Sequence, residues 1–137
     1  MAESYAKPLP IVDVASEPYW EAAKRHEFVA QRCDDCGKLR FPPTPSCWSC
    51  LSPNTTWAQL SGRGTVWSFI LMHQLYYRAF ADEIPYAVAV IETEEGVRLI
   101  SNLVEVANED IEIGMPVEVV FDDVTDEVTL PKFRPAR

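Results

Sequence analysis

Two Cys-x-x-Cys pairs inside a proline-rich stretch constrain this chain more than any other feature. They are Cys33-Asp34-Asp35-Cys36 and Cys47-Trp48-Ser49-Cys50, and residues 33–53 hold four prolines and all four cysteines. A segment this rich in proline makes neither a helix nor a central strand, because each proline fixes φ and removes a backbone donor. Order there must come from something other than a hydrophobic core. Two residues between paired cysteines let both thiolates face one ion from a tight turn, and Gly37 supplies the positive φ that such a turn often needs. Two such turns give four soft sulfur ligands, a set suited to tetrahedral Zn²⁺ with Zn–S of about 2.3 Å. Four thiolates fill the tetrahedron, so the expected role is structural. Iron in the same sulfur cage is the alternative ion. A redox dithiol usually comes as one pair on a βα unit, so the double pair is poor evidence for it.

The N-terminus has no apolar stretch behind a basic start, and no run approaches the roughly 18–20 apolar residues that span a bilayer. A cytoplasmic protein with no membrane partner is expected, where thiols stay reduced and two disulfides are disfavoured. Residues 51–137 carry six Lys/Arg against fourteen Asp/Glu. Such an acidic half repels a phosphate backbone, which makes nucleic acid an improbable partner. The hydrophobic fraction of 47% supports a packed core, and 137 residues suit one medium domain or two small units sharing a core.

Three regions follow. Residues 1–15, with Pro8 and Pro10, read as a flexible arm. Residues 16–54 combine a helix with the metal ribbon. Ser16-Glu17-Pro18 has the form of a helix start, with Tyr19, Ala23, His26 and Ala30 at helical spacing, so a helix is predicted over about 17–27. Phe28 to Arg32 then reads as extended. Residues 55–137 are β in pattern. Strands are predicted at 65–72, 86–92, 97–104, 117–122 and 128–133, with Gly62-Arg63-Gly64 breaking or bulging an earlier one. Connections 73–84 and 105–116 interrupt them. Five such strands predict a small Greek-key barrel of the OB type, ahead of an Ig-like sandwich.

Catalytic signals are weak. His26 and His73 are the only histidines, and a strand-end His73 reads as a hydrogen-bonded surface residue. No Ser/His/Asp order, glycine-rich phosphate loop or paired-carboxylate motif stands out. The aromatics of 67–86 lack interleaved basic residues, so they read as core or partner-facing packing rather than a stacking platform for single strands. The tail Leu130-Pro131-Lys132-Phe133-Arg134-Pro135 sets positive groups around an aromatic ring. That suits a phosphorylated, ring-bearing molecule such as coenzyme A, and equally a plain basic C-terminus.

An ordered series of motifs resembles the DUF35 family. It runs from the Trp20 helix through Gln31-Arg32-Cys33-Asp34-Asp35-Cys36-Gly37, Phe41-Pro42-Pro43, Cys47-Trp48-Ser49-Cys50, Trp57 and Ser61-Gly62-Arg63-Gly64-Thr65-Val66. It continues through Pro85-Tyr86, Gly96-Val97-Arg98-Leu99 and Ile113-Gly114-Met115-Pro116-Val117 to Pro131-Lys132-Phe133-Arg134-Pro135. The resemblance implies a mainly β fold: an N-terminal helix, a rubredoxin-like zinc ribbon, then a five-stranded OB-fold barrel. It also implies an accessory role beside a thiolase-like protein, on hydratases or aldolases that process acyl-CoA in lipid or steroid metabolism, without catalytic residues of its own. Charge and placement single out Arg98, Lys132, Phe133 and Arg134 as coenzyme A contacts. A single-stranded nucleic-acid binder built on the same two modules is the rival reading, with a rubredoxin-type electron carrier behind it.

Overall fold

The computed structural model describes residues 5–137. Residues 1–4 of the expected arm lie outside the described residues, and 5–15 form no regular element before the turn at 14–16. Lys7 from this segment is ion-paired with Glu83 and sits 5.0 Å from the centre of the Phe80 ring.

Helix α1 spans Glu17–Lys24, with Pro18 in its first turn. The Ser16 side chain does not cap it. Instead the turn is closed from Asp13: the Ser16 N–H donates to Asp13 Oδ1 at 2.8 Å, and the Asp13 N–H donates to Ser16 Oγ at 3.1 Å. The helix ends three residues before the expected 27, for a local reason. His26 takes the left-handed φ of 61°. Its N–H donates to the Ala23 carbonyl while the Glu27 N–H reaches back to Ala22. That is the Schellman closure, with histidine where glycine is usual. The buried face is Tyr19, Ala22 and Ala23. Tyr19 meets Phe28 and Phe41 edge-on, at ring separations of 6.4 and 5.3 Å.

A three-stranded antiparallel sheet follows, in the order β2-β1-β3, from β1 (Val29–Cys33), β2 (Leu39–Arg40) and β3 (Thr55–Gln59). Five aligned pairs, from Val29–Gln59 to Cys33–Thr55, join β3 to β1. The strand that opens the second expected unit is therefore hydrogen-bonded to the ribbon.

The remaining strands are β4 (Arg63–Met72), β5 (Tyr86–Thr93), β6 (Arg98–Asn102), β7 (Pro116–Asp123) and β8 (Thr129–Pro135). They form one antiparallel sheet in the order β6-β5-β4-β7-β8. A parallel bridge between Leu103 and Phe133 joins its two edges, giving a nearly closed five-stranded barrel of OB type. Alternation explains the inside: Ala87, Ala89, Ile91 and Thr93 of β5 are buried, and the residues between them are only partly so. Val66, Leu99, Val117 and Phe133 complete the barrel core. Each large apolar side chain fully buried there contributes about 1.5–3 kcal/mol. Phe28 lies edge-on to Phe133 with centroids 5.9 Å apart, so helix, ribbon and barrel share one core. The two long connections each hold only a 3₁₀ turn, Arg78–Phe80 and Asn108–Asp110. No described helix is long and apolar enough to cross a membrane.

Candidate metal centre

The two cysteine turns are copies of one design. In the first, the Cys33 N–H donates to the Lys38 carbonyl and the Gly37 N–H to the Cys33 carbonyl, both at 2.9 Å. In the second, Cys47 donates to Ser52 and Leu51 to Cys47, both at 2.8 Å. The fifth residue of each turn is left-handed, with φ of 78° at Gly37 and 66° at Leu51. Each turn thereby folds its two side chains toward one point. Cys33 and Cys47 are buried, while Cys36 and Cys50 are exposed.

All four Sγ atoms lie within 4.8 Å of one another. Cys33 and Cys50 are separated by 3.4 Å and Cys36 and Cys47 by 3.7 Å. A tetrahedron with metal–sulfur bonds of about 2.3 Å has edges of about 3.8 Å, so the cluster fits one ion. The backbone prepares it. The Cys36 N–H points at Cys33 Sγ from 3.5 Å and the Ser49 N–H at Cys47 Sγ from 3.4 Å. Such donors favour thiolate over thiol. N–H groups of Cys36 and Asp35 lower the Cys33 pKa, and those of Cys50 and Ser49 bring Cys47 down to about 6. At Cys50 the Ser52 N–H also lowers the value, but the Cys33, Cys36 and Cys47 sulfurs outweigh it and push the thiol up to about 12. Without an ion, the neighbouring sulfurs resist a negative charge on Cys50; a cation removes that repulsion.

The polar groups around the turns are committed to holding them. Asp35 accepts hydrogen bonds from Ser52 Oγ and Asn54 Nδ2, and Asp34 from Thr56 Oγ1 at 2.6 Å. These tie the first turn to residues 52–56, which lead from the second turn into β3. The loop between them is pinned by Gln31, whose side chain brackets Thr44 through contacts of 2.8 and 2.9 Å. Arg40, 1% exposed, also holds Thr44 and reaches Thr55 Oγ1 at 2.8 Å. The cysteine spacing located the centre but not these supports: a buried arginine inside a two-residue strand leaves no local sequence signal.

The four residues expected to contact coenzyme A are not brought together. Phe133 is 0% exposed and belongs to the barrel core, which corrects its assignment as a ring open to a ligand. Thr129 and Phe133 are the two buried residues of β8, four apart and so on one face of the strand. Arg98 lies at the start of β6, paired with Glu92 at 2.9 Å and stacked 4.2 Å above Trp67. Arg134 pairs with Glu105 and Glu118, and Lys132 with Asp122 at 2.6 Å. Lys132 borders two clefts. One, of about 480 Å³, lies between the helix and ribbon residues Tyr19, Trp20 and Phe41 and the barrel residues Ile100 and Pro131. The other, of about 350 Å³, is bordered by Lys7, Phe80 and Tyr86. Phe80 and Tyr86 stack there at 5.3 Å.

Comparison with known proteins agrees with both halves of this architecture. Residues 20–56 match the family model of the ChsH2 rubredoxin-like zinc ribbon domain, and residues 57–122 that of the ChsH2 C-terminal OB-fold domain. A probable enoyl-CoA hydratase alpha subunit of Thermomonospora curvata is 43% identical over 130 residues, covering 95% of this chain. The chain spans only 40% of that relative's length. A DUF35 domain-containing scaffold protein of Methanocaldococcus jannaschii is 34% identical over 110 residues, 79% of this chain and 77% of the relative. Among solved structures, a chain of the Ltp2-ChsH2(DUF35) aldolase superposes with a TM-score of 0.85 at 43% identity, covering 94% of this chain and 100% of that one. The chain belongs to the DUF35 family, as a ChsH2-type metal ribbon joined to an OB-fold barrel.

Proposed function

We propose that this chain is a cytoplasmic, non-catalytic accessory subunit that docks on a thiolase-like enzyme and helps position an acyl-CoA. The observation that carries the reading is the likeness, over 94% of the chain, to the DUF35 chain of an aldolase named jointly for Ltp2 and ChsH2. The hydratase alpha subunit and the scaffold protein among its relatives point the same way. The subunit acts by pre-organisation: a rigid platform lowers the entropy cost of presenting a thioester to a partner's active site. Zinc is the ion assigned to Cys33, Cys36, Cys47 and Cys50, since four thiolates complete its preferred tetrahedron. Bound there, it supplies rigidity rather than Lewis-acid chemistry, because no coordination place is left for substrate.

Within this reading, the cleft between ribbon and barrel takes part of the acyl-CoA, with Lys132 at its border as the cation for a phosphate. Mixing the purified chain with a thiolase-like enzyme is the test. Co-elution of the two, and stimulated thiolase or aldolase turnover, are the expected results. Calorimetry with coenzyme A on the complex should show binding that Lys132→Ala weakens about fivefold or more. A chain that stays separate and inert beside such enzymes, with no coenzyme A binding, overturns the reading.

A further inference from the structure

Strand β4 is paired on both sides for only part of its length. Arg63, Gly64 and Thr65 face Glu118, Val117 and Pro116 of β7, while Gly64 and Thr65 also face Thr93 and Glu92 of β5. Val66 still exchanges hydrogen bonds with Gly114 and Met115. A bulge at Trp67 then turns the strand, and Ser68–Met72 pair with β5 alone, from Ser68–Val90 to Met72–Tyr86. Among the described residues, nothing outside β5 hydrogen-bonds the main chain of Ser68–Met72.

This open edge lacks the usual protections of composition. Free edges are blunted by Lys, Pro, very short length or a covering element. Ser68-Phe69-Ile70-Leu71-Met72 has no charge, proline or glycine. None of the five is buried, and Ile70 is 54% exposed. A run of this composition on a free edge templates another strand.

The surroundings say which kind of strand. Asn108 Nδ2 donates to the Pro85 carbonyl, beside the Met72–Tyr86 end, and the Gly114 N–H donates to the Val66 carbonyl at the other. The segment between those two contacts makes no main-chain hydrogen bond to Ser68–Met72; its Ile111 is buried in the core, while Glu109, Asp110 and Glu112 are all exposed. The chain as a whole carries −9. A second copy laid on this edge would bring two such acidic surfaces together, which disfavours self-pairing.

We infer that the edge Ser68–Met72 accepts, by strand addition, an extended segment of a partner protein that is apolar at alternate positions and carries Lys or Arg at its ends. Main-chain hydrogen bonds supply affinity, the alternate side chains meet Ile70 and its neighbours, and the terminal cations meet the acidic segment. Taking the thiolase-like enzyme as that partner rests on the function proposed above; the edge itself does not.

The test uses a blocked peptide, Lys-Lys-Val-Thr-Ile-Thr-Val-Lys-Lys, and a control with Glu replacing every Lys. Hydrogen exchange on the metal-loaded full chain should slow at the 68–72 amides with the basic peptide and not with the acidic one. Ile70→Lys should weaken peptide binding about tenfold or more, with unchanged metal content and circular dichroism. Ser68→Lys, on the same strand face, is the second variant. Absence of protection by the basic peptide overturns the inference. So does a dimer of the chain alone that Ile70→Lys dissolves, since the occupant would then be a second copy. The thiolase-like enzyme forms a separate arm. Enzyme binding that leaves the 68–72 amides fast removes the edge and keeps the proposed function; peptide protection without enzyme binding does the reverse.

Discussion

Gly37 and Leu51 stand at the same position in two copies of one turn, and both are left-handed, at φ of 78° and 66°. Glycine takes that conformation freely, whereas a Cβ crowds the following carbonyl at a cost of about 1–2 kcal/mol. Leu51 is 76% exposed, so burial does not offset the strain. Leu51→Gly should raise stability by about 1 kcal/mol, after allowing for the freedom that glycine adds to the unfolded chain. The readout is a higher urea midpoint with metal content unchanged. A lower midpoint would mean that the leucine side chain itself braces the turn.

Gly64 carries the opposite constraint. Its backbone lies so close to β5 that a Cβ would fall 2.5 Å from the Glu92 carbonyl oxygen and 3.1 Å from Ile91 Cγ2. A carbonyl held in a ladder cannot step aside as a flexible side chain can. Gly64→Ala should therefore destabilise the barrel by about 1–3 kcal/mol, the usual cost of forced overpacking. Thermal melting measures it, and an unchanged midpoint would show that β4 and β5 separate more easily than their pairing implies.

What the sequence disclosed, and what it hid, divides by range. The cysteine turns were legible because all their constraints lie within a few residues. The strands of the barrel were legible from alternation, and Pro18 located the helix start. The end of α1 was not: Tyr19, Ala23 and His26 continue a helical period, yet the chain closes at Ala22–Glu27 because His26 turns left-handed. Pairing partners were also hidden. Thr55–Gln59 has a strand's composition whichever sheet it joins, and only the fold assigns it to β1. Phe133 misled because flanking cations drew attention to a ring whose strand position points inward. Arg40 was invisible, since its burial depends on Thr44 and Thr55 meeting it from elsewhere.

The left-handed turn at His26 also serves the joint between ribbon and barrel. His26 Nε2 lies 2.9 and 3.0 Å from the two carboxylate oxygens of Asp123, and its ring stacks on Phe121 at 5.1 Å. Thr129 Oγ1 donates to the same carboxylate at 2.5 Å, and Thr129 first and His26 second hold the Asp123 pKa below its ordinary value. A depressed carboxylate contributes stability above its unfolded pKa of about 3.9 and loses it as pH falls through the folded value. Asp123→Asn should thus melt below the wild type at neutral pH, with the gap closing under about pH 4. Both groups are half exposed, so the gap will be modest and will shrink with salt. A gap independent of pH would show that the carboxylate's charge contributes nothing to the joint.

Loss of the metal should unfold less of the chain than the proline-rich segment and its flanks together. Cys36→Ser removes one exposed sulfur and leaves three, which no longer complete a tetrahedron. Structural zinc contributes on the order of 10–16 kcal/mol in small peptides, so the turns have little to order them once it leaves. The strand entering the site is better placed: Val29 and Ala30 are buried in the shared core, and β3 pairs along the whole of β1. The Cys36→Ser variant, or wild type treated with a strong chelator, should therefore lose hydrogen-exchange protection across 33–54. Residues 28–32 and the barrel strands should keep theirs. Elemental analysis should find the ion gone, and with zinc bound the wild type should be colourless, because iron–thiolate centres absorb visible light. Full protection of 33–54 after verified metal removal would mean that the Gln31 and Arg40 hydrogen bonds order the ribbon without any ion.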